Sequence, residues 1–290
     1  GGQARGLEVR RRLRVYHSAR GIRLVALDLD DSLHRQDLSI SKANAEACRR
    51  AMVRGVRIVL ASGRTERAML KYVRMLGAEG PGEYLISYNG AKILDLGSGE
   101  HLYERRIPPE TCRRTAALLA ERGFPYQFYL DEGRIVTTVR NRWTEEDSRL
   151  TGLPIEVMAD PGPYLDRGQL KFVVAGEPEA LQTLRIELSA LLDGLAEVLI
   201  SKPYFLEVLS AGTDKGSALE ILAERLDIPM ESVLAVGDAQ NDLGMVRKAG
   251  LGCAPSNAIP AVKEAARYVS PRSHEEDAVA EILERFVLGA

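Results

Sequence analysis

Cysteine is scarce in this chain: Cys48, Cys112 and Cys253 are the only three. An odd, scattered set argues against a disulfide framework and fits free thiols in a reducing, cytoplasmic setting. Charge of one sign is equally lacking. Lys and Arg number 39 against 41 Asp and Glu, a formal net charge of -2. Nothing in that balance calls for a nucleic-acid partner or an anionic membrane surface. No apolar run is long enough to span a bilayer. The four histidines, His17, His34, His101 and His274, have no metal-ligand spacing. His34 reads as a solvated loop residue and Cys253 as packing. Oligomeric state is not legible.

What is present is ordinary globular composition, 45% hydrophobic and 28% charged over 290 residues. That is length enough for one large domain or two modest ones. Residues 1–21 stand apart. They carry Arg5, Arg10, Arg11, Arg12, Arg14 and Arg20 against Glu8. We read them as a solvated extension rather than a transit peptide, with Gly1-Gly2 as a cloning remnant.

From residue 22 the pattern alternates. A strand over 22–28 precedes a helix near 42–54, and a strand over 56–61 precedes a helix near 65–76. In that helix Met69, Tyr72, Val73 and Leu76 share one face. Alternation of this kind means βαβ units and a parallel sheet. The middle of the chain differs: hairpin signals at Gly97-Ser98-Gly99 and Asp131-Glu132-Gly133, and two helix-then-hairpin units. An irregular stretch around Pro161-Gly162-Pro163 separates those units. Alternation resumes with a helix near 215–227 and a strand over 233–237. The expected fold class is α/β. A Rossmann-like core (22–92 and 207–290), its parallel sheet carrying helices on both faces, receives an inserted α+β cap over 93–206.

Four segments fall at strand ends of that core. Asp28-Leu29-Asp30-Asp31-Ser32 follows the first strand. Two carboxylates so close resist joint ionisation, and a Mg²⁺ ion, a shared proton or solvent would compensate. Ala61-Ser62-Gly63-Arg64 opens a helix, where Ser62 can cap it and the free N–H groups can hold an anion. Lys215, in Thr213-Asp214-Lys215-Gly216, starts a helix, an unfavourable place for a cation without an anionic partner. Gly237-Asp238-Ala239-Gln240-Asn241-Asp242 supplies more carboxylates beside a glycine read as permitting a tight turn. Strand ends of one parallel sheet share an edge, and this set of groups suits phosphoryl transfer.

On these motifs the chain resembles the haloacid dehalogenase-like superfamily of phosphohydrolases, in its Cof-type sugar-phosphatase branch with a type IIB cap. The resemblance covers about residues 22–288 and extends to Asn89-Gly90-Ala91 and Ser256-Asn257-Ala258. Asp31 stands where that family most often has Gly, and Ser32 where it has Thr. The resemblance implies a Mg²⁺-dependent phosphatase acting on a small phosphorylated metabolite. Asp28 would be the nucleophile that forms an aspartyl-phosphate, and Asp30 the general acid and base. The metal set would be Asp28, Asp30 (through its backbone carbonyl), Asp238 and Asp242. Ser62, Gly63 and Lys215 would bind phosphate; Arg64, Asn89 and Asn241 would face substrate. Loops 139–145 and 160–168 of the cap are the candidate specificity segments. Two alternatives stand beside this reading. One is a phosphomutase or a dedicated sugar phosphatase of the mannosyl-phosphoglycerate or sucrose phosphatase type. The other is a non-catalytic phospho-accepting or phosphate-binding regulatory protein.

Overall fold

The computed structural model describes residues 21–289. The Arg-rich extension, Gly21 apart, lies outside the described residues. Strand β1 (Leu24–Asp28) is buried along its whole length. Helix α1 (Lys42–Val53) follows, and the Ser41 side chain caps it by accepting from the Asn44 N–H at 3.0 Å. Strand β2 (Arg57–Ala61) and helix α2 (Glu66–Leu76) repeat the unit. Strands β3 (Tyr84–Ser87), β4 (Lys92–Asp95) and β5 (His101–Glu104) complete the first part.

The insert then runs through α3 (Pro109–Glu121), β6 (Tyr126–Leu130), β7 (Arg134–Thr137), α4 (Arg142–Thr151) and β8 (Ile155–Val157). It continues with β9 (Lys171–Ala175), α5 (Pro178–Leu191), β10 (Ala196–Lys202) and β11 (Phe205–Ser210). Its sheet has the order β10-β11-β9-β6-β7-β8, antiparallel except for the β7–β8 pair. Side chains alternate across a strand. Phe128, Phe172, Val174, Leu206 and Val208 therefore pack under α3 and α5, against Cys112, Leu119, Leu181 and Leu188. The residues between them, including Tyr129, Lys171, Val173, Phe205 and Glu207, face the core domain and line a cavity with Asp28.

The chain returns to the core through α6 (Lys215–Arg225), β12 (Val233–Val236), α7 (Leu243–Lys248) and β13 (Leu251–Ala254). It closes with α8 (Pro260–Ala265), β14 (Tyr268–Val269) and α9 (Ala278–Leu283). The core sheet has the order β14-β13-β12-β1-β2-β3-β4-β5, parallel from β14 through β3. Val25 and Leu27 pack against α1, α2 and α9, whereas Leu24 and Ala26 pack against α6. Helices thus cover both faces, as the alternation requires. Register places Leu27 beside Val236 and Asp28 beside Ala61. The first, second and fourth segments therefore meet at one sheet edge.

Two expectations need correction. The hairpin over 92–104 was assigned to the insert, but β4 and β5 extend the core sheet as antiparallel edge strands. The insert's own sheet also runs on to Ser210, past the boundary at 206. A hairpin signal is local and carries no information about which sheet it joins. The stretch expected to be irregular contains α4 and β8. Helix α4 buries only Thr144 and Asp147, so it has no apolar stripe to find. Its legible sign is the start, where Asn141 and Thr144 form a reciprocal cap.

Candidate active site

After Asp28 the chain makes a wide turn in which the His34 N–H donates to the Leu29 carbonyl at 3.1 Å. Asp31 sits in it at φ 56°, a left-handed conformation that Asp tolerates and Gly would adopt freely. Asp28 is buried at the end of β1. Lys215 Nζ donates to Asp28 Oδ1 at 2.5 Å and to Asp242 Oδ1 at 2.6 Å, and its side chain is wholly inaccessible. Lys215 is the first residue of α6, where the helix dipole opposes a cation. The two carboxylates supply the anionic partners that the sequence position demanded. Gly90, at φ 105°, lets the next loop approach: a Cβ there would lie 2.3 Å from the Asp214 carbonyl oxygen.

Asp238 completes the cluster. One oxygen each of Asp28, Asp238 and Asp242 lie within 4.8 Å of one another. Ser32 donates to Asp238 Oδ1 at 2.9 Å, so its hydroxyl orients this carboxylate. Asp242 Oδ2 accepts the Asp238 and Ala239 N–H groups at 3.1 and 3.0 Å. Gly237 is required for close packing rather than for the expected turn. Its φ is not positive, and a Cβ would lie 2.4 Å from Asp242 Cβ.

Three carboxylates thus share one ammonium. Burial and the Asp242 charge push the Asp28 pKa well above its ordinary value, and the same two causes raise Asp238 to about 7. Against burial, which would lower it, Asp242 and Asp28 raise the Lys215 pKa and keep it protonated. The donor set fits a hard divalent cation: oxygen ligands, buried, with excess negative charge. Asp28 and Asp238 each keep one oxygen without a hydrogen-bond partner among the described residues. Both Asp242 oxygens are engaged, which suits it to supporting the site rather than ligating directly.

Asp30 does not join this cluster through its side chain. Arg64 grips it from both sides, Nε to Oδ2 at 3.0 Å and Nη2 to Oδ1 at 2.7 Å. Although burial opposes it, this pairing holds the Asp30 carboxyl well below the usual carboxylate range. Arg64 Nη1 also donates to the Leu150 carbonyl of the cap, at 3.1 Å. His34 is buried and stacked on Tyr72 at 5.0 Å, not solvated as expected. Ser62 is not the cap of α2. Thr65 accepts from the Ala68 N–H at 3.2 Å in that role, and Ser62 lines the cavity instead.

The expected substrate-facing asparagines form a chain into the cap. Asn241 Nδ2 donates to Asn89 Oδ1 at 3.0 Å, and Asn89 Nδ2 donates to Glu207 Oε2 at 2.8 Å. Lys171 Nζ donates to Glu207 Oε1 at 3.0 Å and to the Gly63 carbonyl at 2.8 Å. A cavity of about 340 Å³ lies between the two domains, lined from below by Asp28, Asp30, Ser62 and Asp238. From above it is lined by Tyr129, Asp147, Lys171, Phe205 and Glu207. Neither loop 139–145 nor loop 160–168 contributes to that lining. The overlooked signal was a charge inside an apolar strand: Lys171 opens Lys-Phe-Val-Val-Ala, and Glu207 interrupts Phe-Leu-Glu-Val-Leu-Ser.

The model of the family described as haloacid dehalogenase-like hydrolase matches residues 25–283. The 5-amino-6-(5-phospho-D-ribitylamino)uracil phosphatase YcsE of Bacillus subtilis is 30% identical, with 92% of this chain and 96% of that protein covered. A solved haloacid dehalogenase-like hydrolase from Bacteroides thetaiotaomicron superposes with a TM-score of 0.85 at 33% identity, covering 91% of this chain and 99% of that one. A subclass IIB sugar phosphatase shares the fold at 22% identity and a TM-score of 0.77, over 91% of this chain and 98% of that one. Among the described residues no helix is long and apolar enough to cross a membrane, and all three cysteines are buried and free.

Proposed function

The chain belongs to the haloacid dehalogenase-like hydrolases and is a phosphatase of the Cof type; from that premise we propose that it hydrolyses a small phosphate monoester through an aspartyl-phosphate on Asp28, with Mg²⁺ as cofactor. The observation that carries this reading is Lys215 buried between Asp28 and Asp242, with Asp238 completing an acid cluster short of positive charge. Asp28 and Asp238 would hold Mg²⁺, with Asp242 and Ser32 fixing their surroundings. The ion would neutralise the acid cluster and the negative charge that develops on the transferring phosphoryl group.

The chain's own groups divide the work. Lys215 engages Asp28 Oδ1, an oxygen that the ion could share, and leaves Oδ2 to attack phosphorus. Ser62 and the Gly63 segment receive the phosphoryl oxygens at the cavity floor. Asp30 first protonates the leaving alcohol and then takes a proton from the water that cleaves the acyl-phosphate. Arg64 holds Asp30 ionised, the form the second step needs. The substrate's phosphate charge beside Asp30 opposes that ionisation and favours the protonated form for the first step. A cavity of about 340 Å³ suits one sugar-sized or single-ring metabolite. YcsE, whose named substrate is a ribitylaminouracil phosphate, supports a small polar leaving group.

The test is hydrolysis of p-nitrophenyl phosphate with Mg²⁺ and with a chelator. Wild-type protein is expected to be active only with the metal. Asp28→Asn is expected to lose about 10⁴-fold or more in turnover while its circular dichroism is unchanged. Near-wild-type turnover in the folded variant refutes the nucleophile assignment.

A further inference from the structure

We propose that Asp147 of the cap determines specificity, its Oδ1 accepting a hydrogen bond from a hydroxyl or amino group on the leaving group of the ester. This inference rests on the phosphatase reading and adds the chemistry of the group that departs.

The argument begins with the helix that carries it. Helix α4, Arg-Trp-Thr-Glu-Glu-Asp-Ser-Arg-Leu-Thr, turns polar residues inward. Thr144 completes the cap with Asn141, which leaves Asp147 as its one buried charge. Asp147 is 5% exposed. Two donors from the same face of β6 converge on its Oδ2: the Tyr129 hydroxyl at 2.6 Å and Gln127 Nε2 at 2.6 Å. These bonds fix the orientation of the carboxylate. Its Oδ1 has no hydrogen-bond partner among the described residues, nor is it among the sealed polar atoms that lack one. Asp147 lines the cavity that also holds Asp28 and Asp238.

A purely structural role does not account for this arrangement. An asparagine would accept the same two bonds without a buried charge to desolvate. A carboxylate anchored at one oxygen and open at the other is a poised acceptor. Its neighbour Glu207 is not available: Lys171 takes one oxygen and Asn89 the other. With the phosphate at the Asp28 end, the leaving group extends toward Asp147. The group that meets it must therefore donate a hydrogen bond. A second phosphate or a carboxylate set against Asp147 Oδ1 would be repelled by it, whereas Glu207 is neutralised by Lys171. The fitting class is a neutral polyhydroxylated or an amino-bearing leaving group.

The test compares kcat/KM for p-nitrophenyl phosphate, whose leaving group has no donor, with sugar, polyol and amino-alcohol monophosphates. D-glucose 6-phosphate and O-phosphoethanolamine represent the hydroxyl and amino sources. Asp147→Asn is expected to lower the ratio of the best donor-bearing ester to p-nitrophenyl phosphate by about 10-fold or more, mostly in KM. The ester whose ratio falls identifies the source. Tyr129→Phe releases the anchored oxygen without removing the acceptor and should lower the same ratio less. It decides alone if Asp147→Asn does not fold. An unmoved ratio, or a wild-type enzyme that favours no donor-bearing ester, overturns the proposal and leaves the phosphatase reading intact. Wild-type protein that hydrolyses none of the esters overturns both.

Discussion

The core and the cap bury charge against the same cavity in different proportions. In the core, Asp28, Asp238 and Asp242 gather around Lys215 alone, so negative charge is in excess. In the cap, Lys171 and Glu207 form a one-to-one pair, with the Gly63 carbonyl and the Asn89 amide occupying remaining positions. An excess calls for something from outside, and a balanced pair does not. On the proposed reading the core half takes up a cation and does the chemistry. The cap half is arranged to hold a shape over it, with Asp147, held by the neutral donors Tyr129 and Gln127, as its one open acceptor.

Lys215→Met is the most severe way to break that contrast. It removes the cation that, among the described residues, alone pairs with these buried acids, and the loss of one partner of a buried pair costs about 3–5 kcal/mol. Urea denaturation without divalent cation should show that loss, and turnover should fall alike for every ester. A variant as stable as wild type would mean that the acids are already neutralised by protons. Lys171→Met breaks the balanced pair instead. It strands Glu207 and cuts the bond to the Gly63 carbonyl. We expect about 3 kcal/mol of destabilisation. Steady-state kinetics should register it mainly as a higher KM that differs between esters. A uniform fall in kcat would remove the distinction between the halves.

A milder effect sharpens the comparison from a place remote from the cavity. Glu83 is buried beside the start of β2, where it accepts the Ile58 N–H at 2.8 Å. Burial raises its pKa from 4.5 to about 7. A carboxyl raised on folding binds its proton more tightly in the native state. Its contribution to stability is complete below pH 4.5 and is lost as pH rises through about 7. Thermal melts should therefore show stability falling by at most about 3 kcal/mol across that window. Glu83→Gln should remove that part of the dependence and leave the part that Asp28 and Asp238 contribute. Here a proton alone answers the buried charge, and no cation is needed.

The core was legible because its chemistry sits where periodicity stops. Asp28, Ser62 and Asp238 each follow an apolar run, and parallel strands bring such ends to one edge. The cap was less legible for an equally physical reason. Its cavity-facing side chains lie within strands and on a polar-faced helix, where no turn signal marks them. Lys171 and Glu207 could have been noticed as charges in apolar strands. Asp147 looks like any surface acid among Glu145, Glu146 and Arg149 until α4 is seen to turn it inward. Segments 139–145 and 160–168 were chosen because they read as loops, and loops often carry function. In this chain the cavity lining comes instead from a sheet face, helix α4 and the turn after β10.

By itself, the order of residues determined the alternating core, the presence of an insert and the acids that gather at the strand ends. Those follow from local periodicity and from the geometry of parallel strands. Only the tertiary structure decided that Arg64 would hold Asp30, that β4 and β5 would join the core sheet, and that Asp147 would line one cavity with Asp28. The first two are settled by packing within the core and the third by the meeting of core and cap, and no local pattern encodes either.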